Sequence, residues 1–220
     1  LRLQRSEENL KSWIKYRSDI WRYDGAEEPL RRMANTNSNL YAYRFDWDEQ
    51  NNSSFAGNYQ LFVGAAHGLE IPFLTGDFDL GPITFYIKPF MFPDDSDEGR
   101  LALSDLMMTY WANIAKYGNP NEFVKGPKWE KFTLENNQLL ILDNPTANLV
   151  EMRTIPVSKD DLLSQIEADS ALEIKERCLI GWIAARNFQE DARPQPPFNF
   201  CSNFTEEDLY KLRNLTEGRD

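Results

Sequence analysis

The chain has 220 residues and a formal net charge of −11, with 41% hydrophobic and 13% aromatic residues. Six Trp and fourteen Phe call for a packed interior and exclude a disordered chain. The acidity opposes phosphate backbones and anionic lipid surfaces, and no apolar run is long enough to span a bilayer, so the expected partner is a small neutral or cationic molecule and not a nucleic acid or a membrane.

No basic-then-apolar leader opens the chain, which starts at Leu1, and the opening stretch reads as the interior of a longer polypeptide. Residues 7–23 carry Leu10, Ile14 and, one or two turns on, Arg17 or Ile20 with Trp21, a stripe that predicts a helix. In "LYAYRFDW", Tyr41, Tyr43, Phe45 and Trp47 alternate with Leu40, Ala42, Arg44 and Asp46, which predicts a strand buried on both faces. "DEQNNSSFAGN" is expected to be a surface loop. The segment Leu61–Gly76 then holds the chain's single histidine, His67, between Gly64 and Gly68.

Residues 77–93 are punctuated by Gly81, Pro82, Pro89 and Pro93 and should form an irregular aromatic excursion. From 97 to 117, Leu103, Met107, Tyr110 and Ile114, widened by Met108, Trp111 and Ala115, predict a helix. Asp95 with Glu98 offers its capping box, and Gly118 followed by Pro120 its stop. "PKWEKFTL" and "QLLILD" suggest a hairpin-like strand pair, with "NLVEMRTIPV" as a third strand. Helices are expected from Ser158, through Ile174, Cys178, Trp182 and Ala185 after a break at Asp169–Ser170, and over 205–214 behind a Thr205 cap. Nothing divides the chain clearly, so 1–220 is expected to be one segment of a single domain.

Few motifs carry chemistry. "DDSDEG" fits carboxylates at a helix N-terminus better than a calcium loop. There is no GxGxxG, P-loop or GxSxG, and no Cys/His cluster for a metal, so no cofactor is implied. Cys178 and Cys201 are either a disulfide, pointing to a secreted or periplasmic setting, or two free thiols; spacing does not decide. Asn51, Asn52, Asn203 and Asn214 stand in glycosylation sequons that matter only in a eukaryotic secretory setting. His67 stands out because its flanking glycines suit a sharp turn that presents one side chain. Glu70, three residues on and ahead of an apolar run, is expected in a buried polar network, since an unpaired carboxylate there is costly.

"LYAYRFDW" followed by "GAAHGLEIPFLTGDFDLG" resembles the type-B carboxylesterases, the cholinesterase-like branch of the α/β-hydrolases, in which a Tyr/Phe-rich strand precedes a G-x-x-H-G-x-E-x-x-F segment. "LMMTYWANIAKYGNPN" and "KWEKFTLENNQLLIL" resemble the helix and tryptophan-started strand pair that follow in that family, and the likeness covers most of 13–143. It implies an α/β fold, the C-terminal part of an α/β-hydrolase (late sheet strands plus covering helices), whose N-terminal part lies upstream of Leu1. It implies a carboxylic-ester hydrolase acting through an acyl-serine, with a small-molecule ester as substrate. His67 is then the general base and Glu70 an anchor of its loop. The serine, the triad acid and the oxyanion loop lie in the missing N-terminal part of the same protein. Phe78, Phe85 and Phe90 are candidate pocket walls, against the plain alternative of ordinary packing. Residues 1–220 alone are then expected to aggregate or stay loosely packed. The competing reading is a non-catalytic recognition or adhesion module of the same family; an unrelated acidic protein with a structural His67 ranks last.

Overall fold

The computed structural model describes residues 7–50, 59–79, 81–154, 159–188 and 198–217. In chain order the elements are α1 (Glu7–Arg22), a π-helical turn (Tyr23–Glu27), α2 (Glu28–Ala34), β1 (Tyr43–Phe45), α3 (Tyr59–Phe62), α4 (Glu70–Thr75), α5 (Thr84–Met91), α6 (Asp97–Tyr117), β2 (Gln138–Leu142), β3 (Glu151–Thr154), α7 (Lys159–Ala168), α8 (Ile174–Phe188) and α9 (Glu206–Glu217). The chain has α/β character and divides into two compact units, residues 33–155 and residues 1–32 with 156–220.

In the 33–155 unit the sheet runs β1-β2-β3, with β1 parallel and β3 antiparallel to β2. Here β2 is the central strand and "QLLIL" its unbroken apolar run, with Leu140 and Leu142 packed into the main core and Leu139 and Ile141 against Ala42. The expectation of a strand buried on both faces belongs to β2. β1 is only three residues long and Tyr43 at its start is partly exposed.

The strand partnership also differs. β2 forms its hairpin with β3 and not with "PKWEKFTL". That segment spends its backbone groups elsewhere. The Asn121 amide accepts the Trp129 N–H and donates to the Trp129 carbonyl, while Phe132 N–H donates to the Leu40 carbonyl. A side-chain amide thus takes the place of a neighbouring strand.

α6 is the spine of this unit. Leu103, Met107 and Tyr110 are fully buried and Ile114 partly, but Met108 and Ala115 are exposed, so the stripe is narrower on that side than the sequence suggested. The helix ends at Gly118, whose N–H bonds the Ile114 carbonyl at 2.9 Å. The expected Asp95–Glu98 box does not form. A 3-10 turn over Asp94–Ser96 leads into the helix and makes Ser96 the N-cap residue. Nor is the 77–93 excursion irregular, because a 3-10 turn at Gly81–Ile83 runs into α5 with Pro89 inside it. Pro89 removes one N–H, and both it and Phe85, four residues back, lie on the exposed side, where water can serve the freed carbonyl.

The second unit is helical. α1 buries Asn9, Trp13, Tyr16 and Ile20, whereas Ile14 and Trp21 are exposed, so its inward face is rotated from the one the aliphatic residues suggested. The two aromatic rings carry more apolar area and reach partners through their polar tips. Trp13 Nε1 donates to Glu176 Oε1 at 3.0 Å and Tyr16 Oη to the Gln165 carbonyl at 3.1 Å. The buried Glu176 carboxylate also accepts from Asn9 Nδ2 and the Glu173 N–H. Cys178 of α8 and Cys201 are joined as a disulfide with Cα atoms 5.6 Å apart, within the core. Thr205 and Asp208 close a capping box ahead of α9. The expected Ser158 helix start and the sequons at Asn51 and Asn52 lie outside the described residues. Among the described residues no helix is long and apolar enough to cross a membrane, and no group of three His, Cys, Asp or Glu is arranged to hold a metal.

Candidate active site

The site begins at β1. Phe45 and Trp47 pack against Phe73 with ring centroids 5.2 Å away in each case, and Phe73 is fully buried at the centre of α4. Phe78 and Phe92 close around the same ring. α4 is also tied to α6, because Ser104 Oγ donates to the Phe73 carbonyl at 2.8 Å in a buried bond. A six-residue helix has little stability of its own, and this aromatic cluster supplies what it lacks.

The loop ahead of α4 inherits that rigidity. Gly64 and Gly68 both have positive φ, +49° and +90°, a backbone conformation that a β-carbon would strain. The two glycines bracket Ala65, Ala66 and His67, and His67 is exposed on the turn. The loop is pinned at both ends. Gln50 Nε2 donates to the Gly64 carbonyl at 2.9 Å, and the Gly68 N–H donates to Glu70 Oε2 at 2.9 Å. Glu70 is half-buried in the first turn of α4 and pushes the Tyr43 phenol upward together with burial, which is the larger cause. A carboxylate at a helix N-terminus accepting the backbone N–H beside the histidine is a favourable electrostatic arrangement.

Gln50 is a site residue that the sequence reading missed. It stands in a polar run expected to be surface loop, yet is only 5% exposed. Its signal, a glutamine after an aromatic strand, is indistinguishable from loop composition. The candidate pocket residues differ in exposure. Phe78 is taken up by the core, with the Arg100 guanidinium 4.1 Å over its ring. Phe85 is 83% exposed beside Tyr86 on α5, and Phe90 is partly buried.

A second titratable cluster lies beyond the C-terminal ends of β1 and β2, the end at which α/β sheets place functional loops. Asp143 is pushed up to about 6 by burial, opposed by the Asn144 N–H bond and reinforced by Asp48, Asp46 and Glu49. Asp46 is held by the Arg44 guanidinium through two bonds of 2.6 and 2.5 Å, and Glu49 accepts from Asn144 Nδ2.

The carboxylesterase family model matches residues 2–159. The chain is similar to acetylcholinesterase from Gallus gallus, 32% identical over 103 residues, which is 47% of this chain and 11% of that protein. It is similar to neuroligin-3 from Macaca mulatta, 40% identical over 68 residues, 31% of this chain and 30% of that protein. The same 68-residue match to neuroligin-3 from Homo sapiens covers 7% of that protein. The matched stretches therefore span less than a third of each of these relatives.

Proposed function

The chain belongs to the cholinesterase-like carboxylesterase family, and on that footing we propose that it is the C-terminal segment of a single α/β-hydrolase domain that hydrolyses carboxylic esters. His67 is the general base of this reading. It takes the proton of a serine hydroxyl as the oxygen attacks the ester carbonyl, and returns it to the departing alcohol. Water then repeats the sequence on the acyl-serine. The serine, the triad acid and the oxyanion donors come from the rest of the polypeptide, so residues 1–220 alone have no esterase activity.

One observation supports this most directly: His67 stands on a turn of two positive-φ glycines whose Gly68 N–H is held by Glu70. Glu70 has its own task there, positioning the turn, and is not the triad acid. Phe85 offers the most ring surface to a substrate of the three candidate wall residues.

A second reading, a recognition or adhesion module that keeps the fold without the chemistry, draws on the 40% identity to neuroligin-3, a protein not named for an enzyme activity. Treating the full-length protein with a serine-reactive phosphonate and assaying a short-chain ester separates the two. Ester hydrolysis predicts covalent labelling, and His67→Gln lowers kcat on the order of 10⁴-fold or more. Absence of labelling in the wild type, or undiminished turnover in His67→Gln, overturns the esterase reading.

A further inference from the structure

We propose that Asn203 is a site of N-linked glycosylation. Asn203-Phe204-Thr205 is an acceptor sequence by residue type, and three structural facts single it out. Asn203 is exposed in the turn between the 3-10 segment Asn199–Cys201 and α9. Its side chain makes no hydrogen bond to another described residue. Phe204 packs against the helical core, and its N–H bonds the Cys201 carbonyl at 2.9 Å, which anchors the turn from inside and leaves Asn203 outside.

The second line of support is the compartment. Cys201, two residues earlier, is buried and bonded to Cys178. A disulfide of this kind forms in an oxidising lumen, which in eukaryotic cells is also where asparagine receives glycans. Both requirements converge on the same five residues.

The co-reactant is an oligosaccharide carried on a lipid pyrophosphate. The Asn203 amide nitrogen bonds to the anomeric carbon, the bond from that carbon to the pyrophosphate oxygen breaks, and the lipid pyrophosphate leaves with the electron pair. The displaced amide proton goes to a base of the transferase. In the folded chain Thr205 Oγ1 donates to Asp208 Oδ2 at 2.6 Å and accepts the Asp208 N–H at 3.2 Å, so the acceptor hydroxyl is already committed to the α9 cap. Transfer therefore precedes closure of this cap, and the folded structure only has to leave room for the product. The other sequon in the described residues, at Asn214, lies within α9, while those at Asn51 and Asn52 fall outside the described residues.

The full-length protein secreted from a eukaryotic host tests this by peptide mapping before and after amidase deglycosylation. The peptide containing residue 203 is expected to carry a glycan and to yield aspartate at 203 on release. Asn203→Gln should lose one glycan step on a gel with the Cys178–Cys201 bond intact, while Thr205→Ser keeps both the glycan and the cap. Recovery of the wild-type peptide unmodified, from protein whose Cys178–Cys201 bond has formed, overturns the proposal.

Discussion

The Glu70 carboxylate accepts the backbone N–H of Gly68, at 2.9 Å, and so fixes the residue that follows His67. Because it acts on backbone, its contribution is to the placement of the imidazole. If the full-length protein is the proposed esterase, Glu70→Ala is expected to lower kcat for a short-chain ester by about 10- to 100-fold, the cost of a misplaced general base. Glu70→Gln retains an acceptor oxygen and should lose much less. Equal losses for both variants would show that the charge matters and the bond to Gly68 does not.

Gln50 holds the other end of the same loop from a buried position. Gln50→Ala leaves the Gly64 carbonyl without this donor and should destabilise by about 1–2 kcal/mol. Urea unfolding of the full-length protein measures it, and an unchanged midpoint would show that the loop is held by Glu70 alone.

Gly99 on α6 faces Asn144, and a β-carbon at this position would lie 2.3 Å from Asn144 Oδ1. Asn144 cannot retreat freely, since Oδ1 accepts from Thr146 N–H and Nδ2 donates to Glu49. Gly99→Ala is expected to cost about 1–3 kcal/mol through overpacking. Gly25→Ala is the control, because its nearest contact would be an ordinary 3.8 Å. Indistinguishable melting curves for the two variants would refute this account of the close approach.

Asp143 carries a pH dependence of definite sign. Its folded-state pKa of about 6 lies above the ordinary value of 3.8, so between these pH values the native state keeps a proton that the unfolded state has released. Stability from this group is full below the ordinary value and is lost as pH rises through about 6. Asp143→Asn, which retains an acceptor for the Asn144 N–H, should raise the Tm at pH 7.5 more than at pH 5, with buffer values chosen to lie about 1 unit or more to either side of the folded pKa. A larger gain at the acid pH would contradict the assignment.

The Cys178–Cys201 bond closes a loop across a sequence separation of 23. Replacing both residues by Ala is expected to cost about 3 kcal/mol. Thermal melts with and without reductant give the check, and reductant should move the wild type but not the double variant.

Local patterning determined much of this protein. The α6 helix could be read from Leu103, Met107 and Tyr110, because spacing along one helix face is a property of neighbouring residues. The same holds for the Gly118 stop, for the Thr205 cap, and for the turn around His67, whose glycines declare a backbone that a β-carbon would strain. The resemblance to the family also rested on ordered local blocks. What tertiary structure decided was where each element spends its polar groups and which face it buries. α1 turned Trp13 and Tyr16 inward because Glu176 and the Gln165 carbonyl, more than a hundred residues away, receive their polar tips. "PKWEKFTL" stands outside the sheet, with the Trp129 N–H and carbonyl taken by the Asn121 amide, and β3 became the partner of β2. Gln50 became a clamp because the carbonyl it serves lies 14 residues further along the chain. Hydrogen-bond partners distant in sequence leave no periodic trace, and only the folded chain brings them within reach.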